Sequence, residues 1–264
     1  ASAIESARQD DRLNMQQGQE QSKRALQDGL RRADQLAQEA RDKQVEEEKA
    51  QLRQGYEHLA EQQDALRDET QELIAIDHPS RKQRAQLIEL GHREAELRIA
   101  AEELSEKVSA TIVFSHMHEQ IDAAAQRVTT MLRGGRANEV ATREQSSIAN
   151  MLRGMAAALD DDDTPKSDGD EYAGLHAGGE GGAGAAGAPP ELVPPLKELR
   201  LMRDLQLAIN KQTRWLGDDA NAPRNAGDRK RWLRRLGDQQ RDLADLWRQL
   251  VNRFQTQSPQ MIPP

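Results

Sequence analysis

Leu52, Leu59, Leu66 and Leu73 stand seven residues apart, and Tyr56, Gln63 and Thr70 occupy the intermediate position of the same rhythm. A repeat that averages 3.5 residues lays one narrow stripe along a helix, and such a stripe is buried only against another helix. The pattern therefore predicts a helical protein before any motif is considered. It extends in both directions. Upstream, Leu26, Leu30, Ala33, Ala37 and Ala40 keep a 4-3-4-3 spacing. The five-residue step from Ala40 to Val45 shifts the frame, which predicts a local disturbance of any supercoil there. The expected first helix runs from about Ile4 to Ile76.

Composition agrees. Ala, Glu, Lys, Leu and Arg make up about 47% of the chain, close to the roughly 50% of long helices and coiled coils. Leu, Ile, Val and Phe together reach only about 18%, which is lean for a thick globular core. The formal net charge is −8, but both signs are interspersed. This favours ordered helices with thin apolar stripes over a disordered chain. Residues 1–78 and 160–190 are acidic, at −7 each, while residues 191–264 carry +5. An acidic front and a basic tail attract each other, or other copies.

With no cysteine, disulfides, thiolate zinc sites and a cysteine nucleophile are excluded. The longest apolar runs, Ala110–Phe114 and Met155–Leu159, fall far short of the roughly 18 residues of a membrane span, so no transmembrane segment is expected. Ala1-Ser2-Ala3 at the start suits a signal-peptidase junction, which would place the chain in the periplasm or otherwise outside the cytoplasm. A cloning remnant would produce the same residues and leave a cytoplasmic location open.

Chain punctuation sets the expected domains. Pro79 breaks the first helix at Asp77-His78, and Ser80 with Gln83 forms a capping box for a second. A short break between amphipathic helices makes an antiparallel hairpin, so Leu87, Leu90, Leu97, Leu104 and Val108 should fold back on Leu73, Leu66, Leu59 and Leu52. The rhythm continues through Met117, Ile121, Ala125, Val128 and Leu132 until Gly134-Gly135 stops it. Asn138 then caps a helix bearing Ile148, Leu152, Met155 and Leu159. Residues 160–195, with Asp160–Asp163 and the run Gly178-Gly179-Glu180-Gly181-Gly182, offer no stripe to bury and read as a disordered acidic Gly/Pro-rich linker.

Residues 196–256 read as a helical hairpin. Its first helix presents Leu196, Leu199, Met202, Leu205, Ile209 and Leu216, and its second Leu236, Leu243, Trp247, Leu250 and Phe254, with Trp232 and Leu233 on the apolar side of the hairpin. Residues 257–264 read as a disordered tail. The expected fold is thus all-α: an elongated antiparallel coiled coil over 1–78 with a return arm and small helical bundle over 79–159, the linker, and the C-terminal hairpin.

Chemistry-bearing patterns are few. His116 and His118 flank Met117, but on a helix they point about 200° apart and read as two solvated histidines. Asp160–Asp163 lacks the alternating spacing and turn glycine of a calcium loop. No Gly-rich phosphate loop, G-x-S-x-G or H-E-x-x-H motif occurs, so no enzyme, no metal site and no cofactor is expected. Arg229-Lys230-Arg231-Trp232-Leu233-Arg234-Arg235 is the sharpest local feature. Basic and aromatic residues so mixed suit an acidic protein, a lipid surface or nucleic acid, or a structural helix face whose arginines pair with Asp204, Asp238 or Glu198. The interaction candidates are Trp215, Arg229, Lys230, Arg231, Trp232, Arg234, Arg235, Trp247 and Phe254.

Pro194-Pro195-Leu196-Lys197-Glu198-Leu199-Arg200-Leu201-Met202-Arg203-Asp204-Leu205-Gln206, followed by Asn210-Lys211-Gln212-Thr213, resembles a signature of uncharacterised, exported coiled-coil proteins of planctomycete-type bacteria. Leu236, Gln240, Leu243, Ala244 and Leu246 are similar to the second hairpin helix of that group. The resemblance spans about 115–256, and its signature proper about 25 residues. Such proteins are often encoded beside proton-channel components of the ExbB/ExbD (TolQ/TolR-like) type. The resemblance implies export and a periplasmic role near an energised membrane complex, and with the motif-poor helical fold it suits a non-enzymatic scaffold or adaptor docking there. The coil itself offers a seam for homo-oligomers. The resemblance supplies no binding residues. A nucleic-acid binder using Arg229–Arg235 and a chaperone-like holdase are the alternatives.

Overall fold

In a computed structural model, the protein is all-α, with six helices and no strand among the described residues. Those residues are 2–74, 80–109, 111–160, 193, 195–217 and 226–257. The turn at Asp77–Pro79, most of the expected linker between 160 and 195, and the tail from 258 lie outside them. The helices are α1 (Ser2–Ile74), α2 (Arg81–Lys107), α3 (Ile112–Arg133), α4 (Glu139–Ala158), α5 (Pro195–Gly217) and α6 (Ala226–Gln257). The chain divides into two units. One holds residues 1–48 with 184–190, and the other 49–183 with 191–264.

Within the second unit, α1 buries the residues its repeat predicts. Leu52, Tyr56, Leu59, Gln63, Leu66 and Thr70 are all withdrawn from solvent. Ala60 is buried as well, which widens the stripe beyond a two-helix seam and requires more than one neighbour. Four helices share this core. Contacts between α1 and α2 run antiparallel: Arg93 donates to Glu69 at 2.6 and 2.9 Å, and Leu104 lies against Gly55. On the other side of α1, Gln145 reaches Thr70 and Arg153 pairs with Asp64, so α4 is antiparallel to it too. Arg98–Asp122 and Arg133–His92 link α2 to α3, and Arg127–Glu144 links α3 to α4. The result is an up-down-up-down bundle of α1–α4.

Local signals explain the helix ends. Ser80 Oγ accepts from the Gln83 N–H while the Gln83 side chain accepts from the Ser80 N–H, which is the predicted capping box. Asn138 caps α4 through the Ala141 N–H at 3.1 Å. Gly135 turns the chain at φ +67°, a region that favours glycine. The expected continuous return arm is a hairpin instead: α2 ends at Lys107 and α3 begins at Ile112. Val108, Ser109, Thr111, Ile112 and Val113 are poor helix formers, and without Gly or Pro among them the turn is easily overlooked.

Gly91 sets how closely α2 and α3 approach. A Cβ there would lie 2.8 Å from Arg133 Cγ and 3.0 Å from the Arg133 backbone nitrogen. Because the backbone cannot move aside cheaply, Gly91→Ala should destabilise the bundle by about 1–3 kcal/mol, read as a lowered urea midpoint. On helix propensity alone the same substitution stabilises by about 1 kcal/mol. The sign of the change therefore reports the close approach.

Candidate functional site

The α5–α6 hairpin packs on α3 and α4 within the same unit. Its anchor is Glu198. The N-cap of α3, Thr111, makes no side-chain capping bond, which leaves the first N–H groups of that helix to find another acceptor. The fully buried Glu198 carboxylate accepts from the Val113 N–H at 3.5 Å and from Arg253 at 2.9 Å. An anion at a helix N-terminus is also favoured by the helix dipole. One side chain of α5 thus ties α3 and α6 together. Gln206 and Gln240 exchange amide hydrogen bonds across the hairpin at 3.2 and 3.0 Å.

The basic run of α6 divides. Arg229 donates to the Leu216 carbonyl at 3.5 Å. Arg235 pairs with Glu144 of α4, which also takes Arg127 at 2.8 Å. Burial pushes the Arg235 guanidinium below its usual value; Glu144 opposes this and Arg127 adds to it. Trp232 is buried beside Leu216 and Leu236, with the Arg235 guanidinium 4.9 Å from its ring. Lys230, Arg231 and Arg234 face solvent.

Sequence reasoning named Asp204, Asp238 and Glu198 as partners for these arginines. The pairing shown for Arg235 is with Glu144, more than ninety positions away. Leu196 and Leu233, expected on the apolar side of the hairpin, are 65% and 51% exposed. Trp247 is as exposed as Leu233, and Leu246 takes the buried place expected of it. The Phe254 side chain lies outside the described residues.

Between α3–α4 and α5–α6 lies a cleft of about 510 Å³, within the roughly 300–1,000 Å³ of small-molecule sites. One end is apolar, with Met117, Met151, Gly154, Leu201 and Leu205. The other is cationic and aromatic, with Arg143, Lys211, Trp215, Trp232 and the Arg127–Glu144–Arg235 cluster. Arg143 lies 3.6 Å over the half-buried Trp215 ring. No periodicity announces this cleft, because its walls come from four helices.

Deeper in the bundle is a polar layer. Glu94 of α2 is fully buried and accepts from Gln63 of α1 at 3.2 and 3.1 Å and from Gln145 of α4 at 3.0 Å. Burial pushes its carboxyl up to about 7, against the pull of those two amides. Gln145 Oε1 is buried without a hydrogen-bond partner. One level along, Tyr56 Oη lies 2.9 Å from His118 Nε2. Burial raises the Tyr56 phenol well above its usual value and lowers His118 to about 4. Both groups therefore stay uncharged and share one hydrogen bond. His118 is thus a core histidine and not a solvated one, while Asp122 is taken by Arg98.

Among the described residues no group of three or more histidines, aspartates or glutamates is placed to hold a metal, and no helix is long and apolar enough to cross a membrane. Compared with protein-family models, curated proteins and solved structures, the chain matches none.

Proposed function

We propose that this chain is a non-enzymatic adaptor that docks a protein partner along the first half of α1. The observation that carries the reading is the state of Leu26, Leu30 and Leu36, which are 69%, 65% and 61% exposed. They belong to a helical stretch in which every described side chain from 22 to 44 is exposed. Fully burying one leucine is worth about 1.5–3 kcal/mol, so a helical partner laid on this stripe gains what solvent now forfeits. The resemblance noted above supports a setting in the bacterial cell envelope. There the partner is a component of an energised proton-channel complex.

Two measurements test this. Affinity capture of the full chain from envelope membranes should recover a membrane-complex component. The variant Leu26→Lys/Leu30→Lys should lose that component while keeping the melting temperature of the bundle, whose core starts near residue 49. Recovery of no envelope protein, or equal recovery by the variant, contradicts the reading.

A second reading, nucleic-acid binding, rests on the exposed Lys230 and Arg234. Arg229 and Arg235 turn inward, which leaves Lys230 and Arg234 for phosphates. The salt slope, about −0.9 per phosphate contact on duplex DNA, should then be no steeper than about −2. Titration of the full chain with duplex DNA at two salt concentrations decides it. Absence of binding at the lower concentration removes this reading.

A further inference from the structure

We infer that the cleft between the α3–α4 pair and the α5–α6 hairpin binds a single-chain amphiphile with an anionic head, the chemistry of a medium-chain fatty acid. Two independent observations lead there. The first is the gradient of polarity along the cleft. Gly154 and Arg143 sit on the same helix, about 16 Å apart at 1.5 Å per residue. Around Gly154 the walls are thioether and leucine: Leu201 Cδ2 is 3.5 Å and Met117 Cε 3.8 Å from where a Cβ would stand. Both stand at ordinary van der Waals distance from that point, and methionine adapts its shape to a flexible chain. An apolar body of that length belongs at this end.

The second observation is charge. Arg127, Arg143, Lys211 and Arg235 line the cleft against Glu144 and Asp204. Glu144 is shared by Arg127 and Arg235, and Asp204 pairs with Arg203. Arg143 and Lys211 therefore have no carboxylate partner among the described residues. They flank Trp215, whose ring already carries the Arg143 guanidinium. Lys211 and Trp215 are four residues apart on α5 and share a face. A carboxylate at this end meets two unneutralised cations at the mouth of a partly dry cleft, where charge-assisted hydrogen bonds are strongest. An uncharged or cationic amphiphile leaves them unmatched. This inference does not rest on the adaptor reading, since the cleft is lined by residues of α3 to α6.

The test is calorimetric titration of the full chain with sodium dodecanoate below its micelle concentration, beside dodecanol, dodecyltrimethylammonium and an acidic helical peptide. Dodecanoate should bind one to one and shift tryptophan emission, with dodecanol at least about tenfold weaker and the cation not binding. Arg143→Gln/Lys211→Gln changes exposed side chains and should lower dodecanoate affinity about tenfold, to the level of the alcohol. Gly154→Leu should fill the apolar end and abolish binding of both. Thermal melting checks that it folds, and if it does not, the charge variant decides alone. Three results overturn the inference: no saturable dodecanoate binding by the unmodified chain, equal binding by the charge variant, or tighter binding of the peptide at the same cleft.

Discussion

Replacing Glu94 by glutamine should stabilise the folded bundle above pH 7 by on the order of 3 kcal/mol and leave it almost unchanged below pH 4.5. The reason lies in what surrounds the carboxyl. Gln63 and Gln145 give it amide N–H donors, no cation faces it among the described residues, and burial raises it from 4.5 to about 7. A raised folded value means that the native state holds the proton more tightly than the unfolded chain. The stabilisation is therefore fully present below about 4.5 and is lost as pH rises through about 7.

Glutamine removes the titration while keeping the shape. It also gives the layer a new N–H donor for Gln145 Oε1, which now has no partner. Urea unfolding at pH 4.5 and pH 8 measures both ends. No gain from glutamine at pH 8, or a gain of the same size at pH 4.5, would contradict a buried carboxyl of this kind.

The larger effect is expected at Tyr56. Its ring is fully buried, tilted against Phe114 at 6.2 Å and His118 at 5.7 Å between centroids. Tyr56→Ala should cost about 3–5 kcal/mol, through lost burial and the cavity left where α1 meets α3. Tyr56→Phe keeps the ring and should cost only about 1–2 kcal/mol, the cost of an imidazole nitrogen left without its hydrogen-bond partner.

His118 adds a pH signature of opposite sign to that of Glu94. Its folded value is depressed from 6.5 to about 4, so its stabilisation is present above about 6.5 and lost as pH falls through about 4. Between about 4.5 and 6.5 the native chain retains a proton on Glu94 while the unfolded chain takes one on His118. The two slopes then nearly cancel, and stability should be flat in that window and fall on either side. Glu94→Gln should unmask the acidic fall alone, and His118→Gln the alkaline fall alone. Unfolding curves across pH for the three proteins check this directly.

Much of this architecture is legible in the residues. The heptad from Leu52 to Leu73 names the buried face of α1 because a period is a geometric constraint that packing must obey. Ser80, Asn138 and Gly134-Gly135 announce their turns because the required chemistry is local. What the residues hide is non-local. Periodicity counts the residues on a face and not the helices that cover it, so a two-helix seam and a four-helix bundle read alike; only Ala60 hinted at the wider stripe. The α2–α3 turn went unread because β-branched residues, not Gly or Pro, make it.

Glu94 stands at a seam position, but its partners Gln63 and Gln145 come from other helices, and His118 looks like a surface residue until Tyr56 arrives. Trp247 and Leu246 compete for one inward position on α6, and large apolar surface alone favours the wrong one. The cleft required Arg143 and Trp215 to meet from opposite sides of 160–195, a distance that spacing rules do not span.

Along α1, Leu52, Leu59 and Leu66 are covered by the protein's own helices, whereas Leu26, Leu30 and Leu36 are exposed. Amide hydrogen exchange of the dilute, isolated full chain measures this contrast most directly. Residues 52–70 should exchange slowly, near the rate of global unfolding, and residues 22–44 faster by orders of magnitude, because a helix without packing opens readily. Comparable protection over both stretches, or fast exchange throughout 52–70, would contradict it.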